Sequence, residues 1–117
     1  MSYDLNFWKY KDGVYLDNQK VYESLSNGEL VDGLEGLPIP DILKSIESNF
    51  KAPTWVKLDD LTYESESGAF QIFTTSQFFR IDCYDMSGDD MNLFIDIGNE
   101  FSCPLYDPQV GQRFDGT

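Results

Sequence analysis

Hydrophobic and polar residues alternate near the start of the chain. In residues 3 to 9, YDLNFWK, the side chains of Tyr3, Leu5 and Phe7 would share one side, and mostly polar residues would fill the other. A period of two residues is typical of a half-buried β-strand. The pattern therefore predicts a first strand over this segment.

Two helices are expected after this strand. Asp17 can cap a helix over about residues 18 to 27, and Gly28 can end it. Pro40 suits the first turn of a second helix, and Pro53 prevents that helix from continuing. Its apolar residues repeat at helical spacing, which predicts a face that packs on a sheet: Ile42, Leu43, Ile46 and Phe50.

After Trp55 the period shifts towards two. The stretches LTYES, AFQIFTT and QFFRIDCYD are separated by Ser-Gly and Thr-Ser pairs, which favour turns. We expect three antiparallel strands here. In the last of them one set of side chains is apolar, and the opposite set mixes charged and aromatic residues: Phe78, Arg80, Asp82 and Tyr84.

Residues 88 to 101 fit both a strand and a helix, because their apolar positions match either period. Ser87 followed three residues later by Asp90 resembles a capping box, which favours the helix. Gly98 weighs against it, since a glycine inside a helix costs about 1 kcal/mol relative to alanine. The proline-containing tail is expected to form an ordered loop or a short edge strand with a frayed end.

These elements predict a single α+β domain spanning residues 1–117. We expect a mainly antiparallel sheet of four or five strands, with two or three helices packed on one face.

The net charge of the chain indicates which classes of partner it can bind. There are 21 acidic and 8 basic residues, giving a net charge of −13. Residues 58 to 117 hold 12 of these acids and two of the bases. Such a balance disfavours direct binding of nucleic acid or of an anionic membrane and favours a cationic protein partner.

The chain shows no secretory signal and no apolar run long enough to span a bilayer, so a cytoplasmic location is expected. Cys83 and Cys103 are then interpreted as buried, reduced thiols, since two cysteines without any histidine make a poor zinc site.

The acidic stretch DCYDMSGDDMN, residues 82 to 92, could hold a metal or perform catalysis. A calcium loop beginning at Asp85 fails because its sixth position, which requires glycine, is Asp90.

No catalytic or cofactor-binding motif is present, so no metal, cofactor or enzymatic activity is predicted. The alternative is a small enzyme or ligand-binding domain that uses carboxylates around residues 82–96. An acidic mimic of nucleic acid is a third hypothesis, but phosphate-like spacing is not evident.

Carboxylates beside aromatic rings favour recognition of a cationic protein, because the charges steer and the rings provide contact area. The sequence predicts a partner-facing region formed by Tyr63, Glu64, Glu66, Asp82, Tyr84, Asp85, Asp89 and Asp90.

The segments MSYDLNFWK, FFRIDCYDM and CPLYDPQVGQRF resemble small bacterial immunity proteins of polymorphic-toxin and contact-dependent growth inhibition systems. The resemblance implies a cytoplasmic antitoxin that binds the C-terminal domain of a cognate toxin. Many such toxins are basic nucleases, to which an acidic inhibitor would be attracted. The resemblance implies no individual binding residues.

Overall fold

The computed structural model describes residues 2 to 114, so the frayed end predicted for the tail lies outside the described residues. The class is α+β, as the sequence predicted. In chain order the elements are β1 (Ser2–Phe7), α1 (Asn18–Ser26), α2 (Ile39–Asn49), β2 (Val56–Asp59), β3 (Thr62–Glu64), β4 (Ala69–Thr75), β5 (Phe78–Tyr84), α3 (Gly88–Glu100), β6 (Leu105–Asp107) and β7 (Gln112–Arg113).

The described strands form one sheet in the order β2-β3-β4-β5-β1-β6-β7, and all neighbours are antiparallel. The sequence predicted four or five strands and the sheet has seven within these residues. The additional strands lie at its edges and are short, so they carry too few positions to show a period. The long central strands β4, β5 and β1 were predicted.

One side of the sheet, the core face, carries the main hydrophobic core. Leu5 of β1 lies opposite Ile81 of β5, which lies opposite Ile72 of β4. Helices α2 and α3 cover these residues and bury their own apolar stripes against them, as expected for helices that close one side of a sheet. The buried helical residues in this core are Ile42, Ile46, Phe94 and Ile97.

Helix α1 packs on the opposite side of the sheet, which corrects the prediction that the helices share one face. Trp8, Phe78 and Tyr106 point to this second side and are fully or almost fully buried. Val21 and Leu25 of α1 pack on them. Because aromatic residues lie on both sides at this end of the sheet, both sides need a cover.

The capping residues determine where two helices begin. The Asp17 side chain accepts a hydrogen bond from the Lys20 amide at 3.1 Å. The Ser87 side chain accepts one from the Asp90 amide, also at 3.1 Å. Each bond satisfies an amide that has no partner inside its helix. Residues 88 to 100 are therefore helical, as Ser87 indicated.

Gly98 lies where α3 approaches the sheet most closely. A Cβ atom at this position would come within 2.5 Å of Phe7 Cδ1 and 2.7 Å of the Cys103 carbonyl oxygen. Glycine is thus required by packing, which explains a residue that lowers helix propensity.

Both cysteines are free and buried, as predicted. Burial, with a smaller effect of neighbouring carboxylates, raises the pKa of Cys83 to about 12. Burial raises the pKa of Cys103 to about 11. Both thiols therefore stay protonated at neutral pH and act as packing groups rather than nucleophiles.

Candidate functional site

The second side of the sheet is covered by α1 at one end only. At the other end, no helix of residues 2–114 covers the strands, and several polar side chains are exposed or half-buried. We call this region the open face. It consists of Asp4, Asp59, Thr62, Glu64, Ala69, Gln71, Asp82 and Tyr84.

Strand register arranges the open face in two rows. Glu64, Ala69 and Tyr84 form one row across β3, β4 and β5. The second row crosses the sheet from edge to centre and contains Asp59, Thr62, Gln71, Asp82 and Asp4. Directly opposed side chains on antiparallel strands have Cβ atoms about 5 Å apart, so each row is a continuous strip of neighbours.

Two carboxyl groups oppose each other at the centre of this surface. Asp4 of β1 lies directly across from Asp82 of β5. The Arg80 guanidinium binds Asp82 through two hydrogen bonds, Nε to Oδ1 at 2.9 Å and Nη2 to Oδ2 at 3.3 Å. Burial, together with a hydrogen bond to Asp82 and repulsion from it, raises the pKa of Asp4, although Arg80 acts in the opposite direction. A single guanidinium group thus lies near two carboxyl groups. It binds Asp82 directly, and the negative charge of Asp4 is only partly compensated.

An open groove of about 560 Å³ crosses the same surface. The carboxylates of Asp59, Asp60 and Asp82 lie along it, and Phe73 and Arg80 contribute an aromatic ring and a cation. The Arg80 guanidinium carbon lies 4.8 Å from the centre of the Phe73 ring. The groove therefore offers acids beside an aromatic surface, a combination suited to a cationic side chain.

Replacing Asp4 by asparagine is expected to raise the free energy of unfolding by roughly 0.5 to 1 kcal/mol at pH 7, because like charges directly opposed across strands are destabilising. A raised carboxyl pKa favours folding while the group is protonated, and this contribution is lost as the pH rises through the folded-state pKa. Asparagine resembles the protonated form, so the gain should vanish below the ordinary aspartate value of 3.8.

Urea denaturation of Asp4→Asn and of the unchanged protein between pH 3.5 and pH 7 measures this gain in stability. Asp12→Asn, at an exposed loop aspartate, is the control and should change the free energy of unfolding by less than about 0.5 kcal/mol. The difference in unfolding free energy between Asp4→Asn and the unchanged protein should thus be larger at pH 7 than at pH 3.5. The opposite order would contradict the expected like-charge repulsion.

The structure brings together several of the residues that the sequence proposed as partner-facing. Glu64, Asp82 and Tyr84 share the open face, and Tyr84 is 42% exposed. Glu66 lies in the turn between β3 and β4, and Asp85 directly follows β5. A Cβ atom at Gly68 would come within 2.9 Å of the carbonyl oxygens of Tyr84 and Asp85, so this turn packs against the end of β5.

Asp89 and Asp90 lie in the first turn of α3, which packs on the core face. Only residues 85–87 separate β5 from this helix, so both acids lie at the rim of the sheet rather than on the open face. Their placement near the positive helix end stabilises α3.

The structure corrects the placement of Tyr63. This residue is 1% exposed and stacks on Phe70 of the core face with ring centres 4.8 Å apart. Burial, the largest influence, raises the pKa of its hydroxyl. Adjacent strand residues point to opposite sides, so Tyr63 and Glu64 cannot both face a partner, and the alternation of LTYES already contained this signal.

The sequence did not single out Asp4, Asp59 or Arg80 as site residues. Asp4 occupies the polar side of the first predicted strand, but only the pairing of β1 with β5 brings it to Asp82. These two strands are separated by most of the chain, and their register leaves no local signal.

Comparisons of the chain with protein-family models, with curated proteins and with solved structures found no significant match. Within residues 2–114, no three or more acidic or cysteine side chains are grouped so as to hold a metal ion. None of the described helices is long and apolar enough to cross a membrane.

Proposed function

We propose that the protein is a cytoplasmic immunity protein that binds and neutralises a cognate bacterial toxin domain, a basic nuclease in the simplest case. The open face docks onto the cationic surface of the toxin, which blocks the active site or an adjacent region. The observation that carries this proposal is the Asp4–Asp82 pair, which shares one guanidinium, Arg80, on an uncovered sheet face.

The like-charge pair reduces the stability of the free protein. Natural sheets rarely place like charges directly opposite each other, because the pair is unfavourable. Where local rules are broken, the usual reason is function. A lysine or arginine side chain of a partner would stabilise both carboxylates at once, so repulsion in the free protein becomes attraction in the complex.

The net charge supports the same conclusion. A charge of −13 steers a basic protein towards the inhibitor before contact, and such steering raises association rates to about 10⁸ M⁻¹ s⁻¹ or more at low salt. The surface by which a nuclease attracts nucleic acid would also attract this chain. Tyr84 and Phe73 add aromatic contact area of the kind that dominates protein interfaces.

A second candidate function is a small enzyme or ligand-binding domain that uses the same carboxylates. The groove of about 560 Å³ and the raised pKa of Asp4 favour it, since a perturbed carboxyl group beside a groove is typical of general acids. Turnover of a small substrate that Asp4→Asn abolishes would support this candidate against the first.

Co-expression with the product of the neighbouring gene, as the candidate toxin, tests the proposal. The two proteins should co-purify, expression of this chain should restore growth of cells that produce the toxin, and the association rate should fall steeply with added salt. A stable complex that fails to protect cells would rule out neutralisation. The absence of any complex would rule out the proposed partner class.

A further inference from the structure

We infer that β2 is a docking edge that accepts an extended segment of the toxin, with alternating basic and apolar residues, as an additional antiparallel or parallel strand. This inference rests on the proposed function and specifies how the partner is held. The strand β2 ends the sheet, and no other described segment pairs with its outer edge. Its outward-facing amide and carbonyl groups are therefore available to a partner strand.

The side chains of β2 differ from those of a protected edge. All four residues are exposed, and Val56 and Leu58 are 52% and 54% exposed although both are apolar. Leu61, just beyond the strand, is 40% exposed. Natural edges are usually blunted by charged residues, so exposed apolar residues at an edge indicate an interaction surface.

Lysine residues commonly protect sheet edges from pairing with other strands, but Lys57 forms ion pairs within its own chain. Its ammonium group binds the Glu47 carboxylate and lies 3.2 Å from Asp60 Oδ1. It is thus neutralised locally and does not shield the edge from a basic segment. A register irregularity between Lys57 and Asp59 limits the added strand to short pairing along β2.

The two sides of this edge offer different environments for the side chains of an added strand. On the core side, a pocket of about 330 Å³ is lined by both apolar and charged residues, among them Ala52, Trp55, Glu47 and Lys57. On the other side, Asp59 and Glu64 belong to the open face. Because successive strand residues point to opposite sides, the matching segment alternates apolar residues with lysine or arginine.

A second copy of this chain is a poor occupant of the edge. Two copies would each carry a charge of −13 and would bring the same acidic flanks of β2 together. Like-charge juxtaposition of this kind is costly, whereas a basic segment is attracted.

A synthetic probe tests strand addition without the toxin. The probe is an acetylated and amidated peptide of about eight residues that alternates lysine and valine, a length sufficient for one strand. The matched control has the same sequence with backbone nitrogens methylated on both edges of the strand, which keeps the charge and blocks pairing in either strand direction. The unmethylated peptide should bind at least about tenfold more tightly and should slow amide exchange in β2. Equal binding of the two peptides would overturn strand addition.

A second experiment tests the same edge with the toxin domain itself. Val56→Lys should weaken its binding at least about tenfold, because an edge lysine opposes a basic strand. Val110→Lys, at a 64% exposed valine before β7, is the matched control and should leave binding unchanged. Equal effects of the two substitutions would overturn the role of β2 while leaving the proposed function intact. A toxin that does not bind the unchanged protein would instead remove the proposed function, and the peptide experiment would still decide the edge.

Discussion

Replacing Phe70 by alanine is expected to lower the free energy of unfolding by about 4 kcal/mol, the size typical of a buried phenylalanine that leaves a cavity. Phe70 is fully buried on the core face of β4. Four aromatic rings surround it, with ring centres 4.8 to 5.3 Å away: Phe50, Trp55, Tyr63 and Phe94. Phe50 and Trp55 lie in the segment between α2 and β2, Phe94 in α3 and Tyr63 in the neighbouring strand, so the packing cannot relax around a smaller side chain without moving several elements.

Chemical denaturation of the unchanged protein and of Phe70→Ala measures this loss, and a near-ultraviolet spectrum reports whether the aromatic packing survives. Leu58→Ala is the control, because Leu58 is 54% exposed. It should change stability by less than about 0.5 kcal/mol. A Phe70→Ala variant that is destabilised by less than about 1 kcal/mol would show that this cluster does not hold the helices to the sheet.

Replacing Tyr84 by alanine together with Glu64 by lysine is expected to weaken binding of the cognate toxin about 1,000-fold, since aromatic anchors and close charge pairs each contribute on the order of 2 kcal/mol. The two residues lie in one row of the open face, separated by Ala69. Both are exposed, so the substitutions should leave the fold unchanged.

The matched control is Tyr15→Ala with Glu29→Lys. It makes the same two chemical changes and the same change of net charge in the loops on either side of α1, where Tyr15 is 88% exposed. Long-range steering depends on total charge and should slow equally in both variants. The rate of dissociation should rise only in the Tyr84 and Glu64 variant, because short-range contacts control it. Equal dissociation rates for the two variants would place the interface elsewhere.

Local signals in the sequence were sufficient to predict the helices. Asp17 and Ser87 each accept the amide hydrogen bond expected of a capping residue. The mixture of periods in residues 88 to 101 has a simple cause, because the apolar residues of α3 are crowded into positions 91 to 97 and fit either period, and the helix needs Gly98 to approach Phe7. The central strands were also recognisable, since half-buried strands alternate and turns separate them.

Long-range pairing could not be predicted in the same way. Nothing near Asp4 indicates that it meets Asp82, because register between distant strands depends on the whole sheet. The position of α1 could not be predicted for the same reason, because only the order of the strands in the sheet brings Trp8 and Phe78 together under one helix. Tyr63 was misplaced because its acidic neighbours were weighed more heavily than its position in the strand.

Methyl cross-saturation in the complex tests the central claim most directly, since it identifies the side chains of this protein that touch the toxin. Saturation of the toxin domain should reach the methyl groups of Thr62 and Ala69, which lie in the two rows of the open face. Transfer that is absent there and confined to exposed methyl groups elsewhere, such as those of Leu30 or Val110, would contradict docking through the open face.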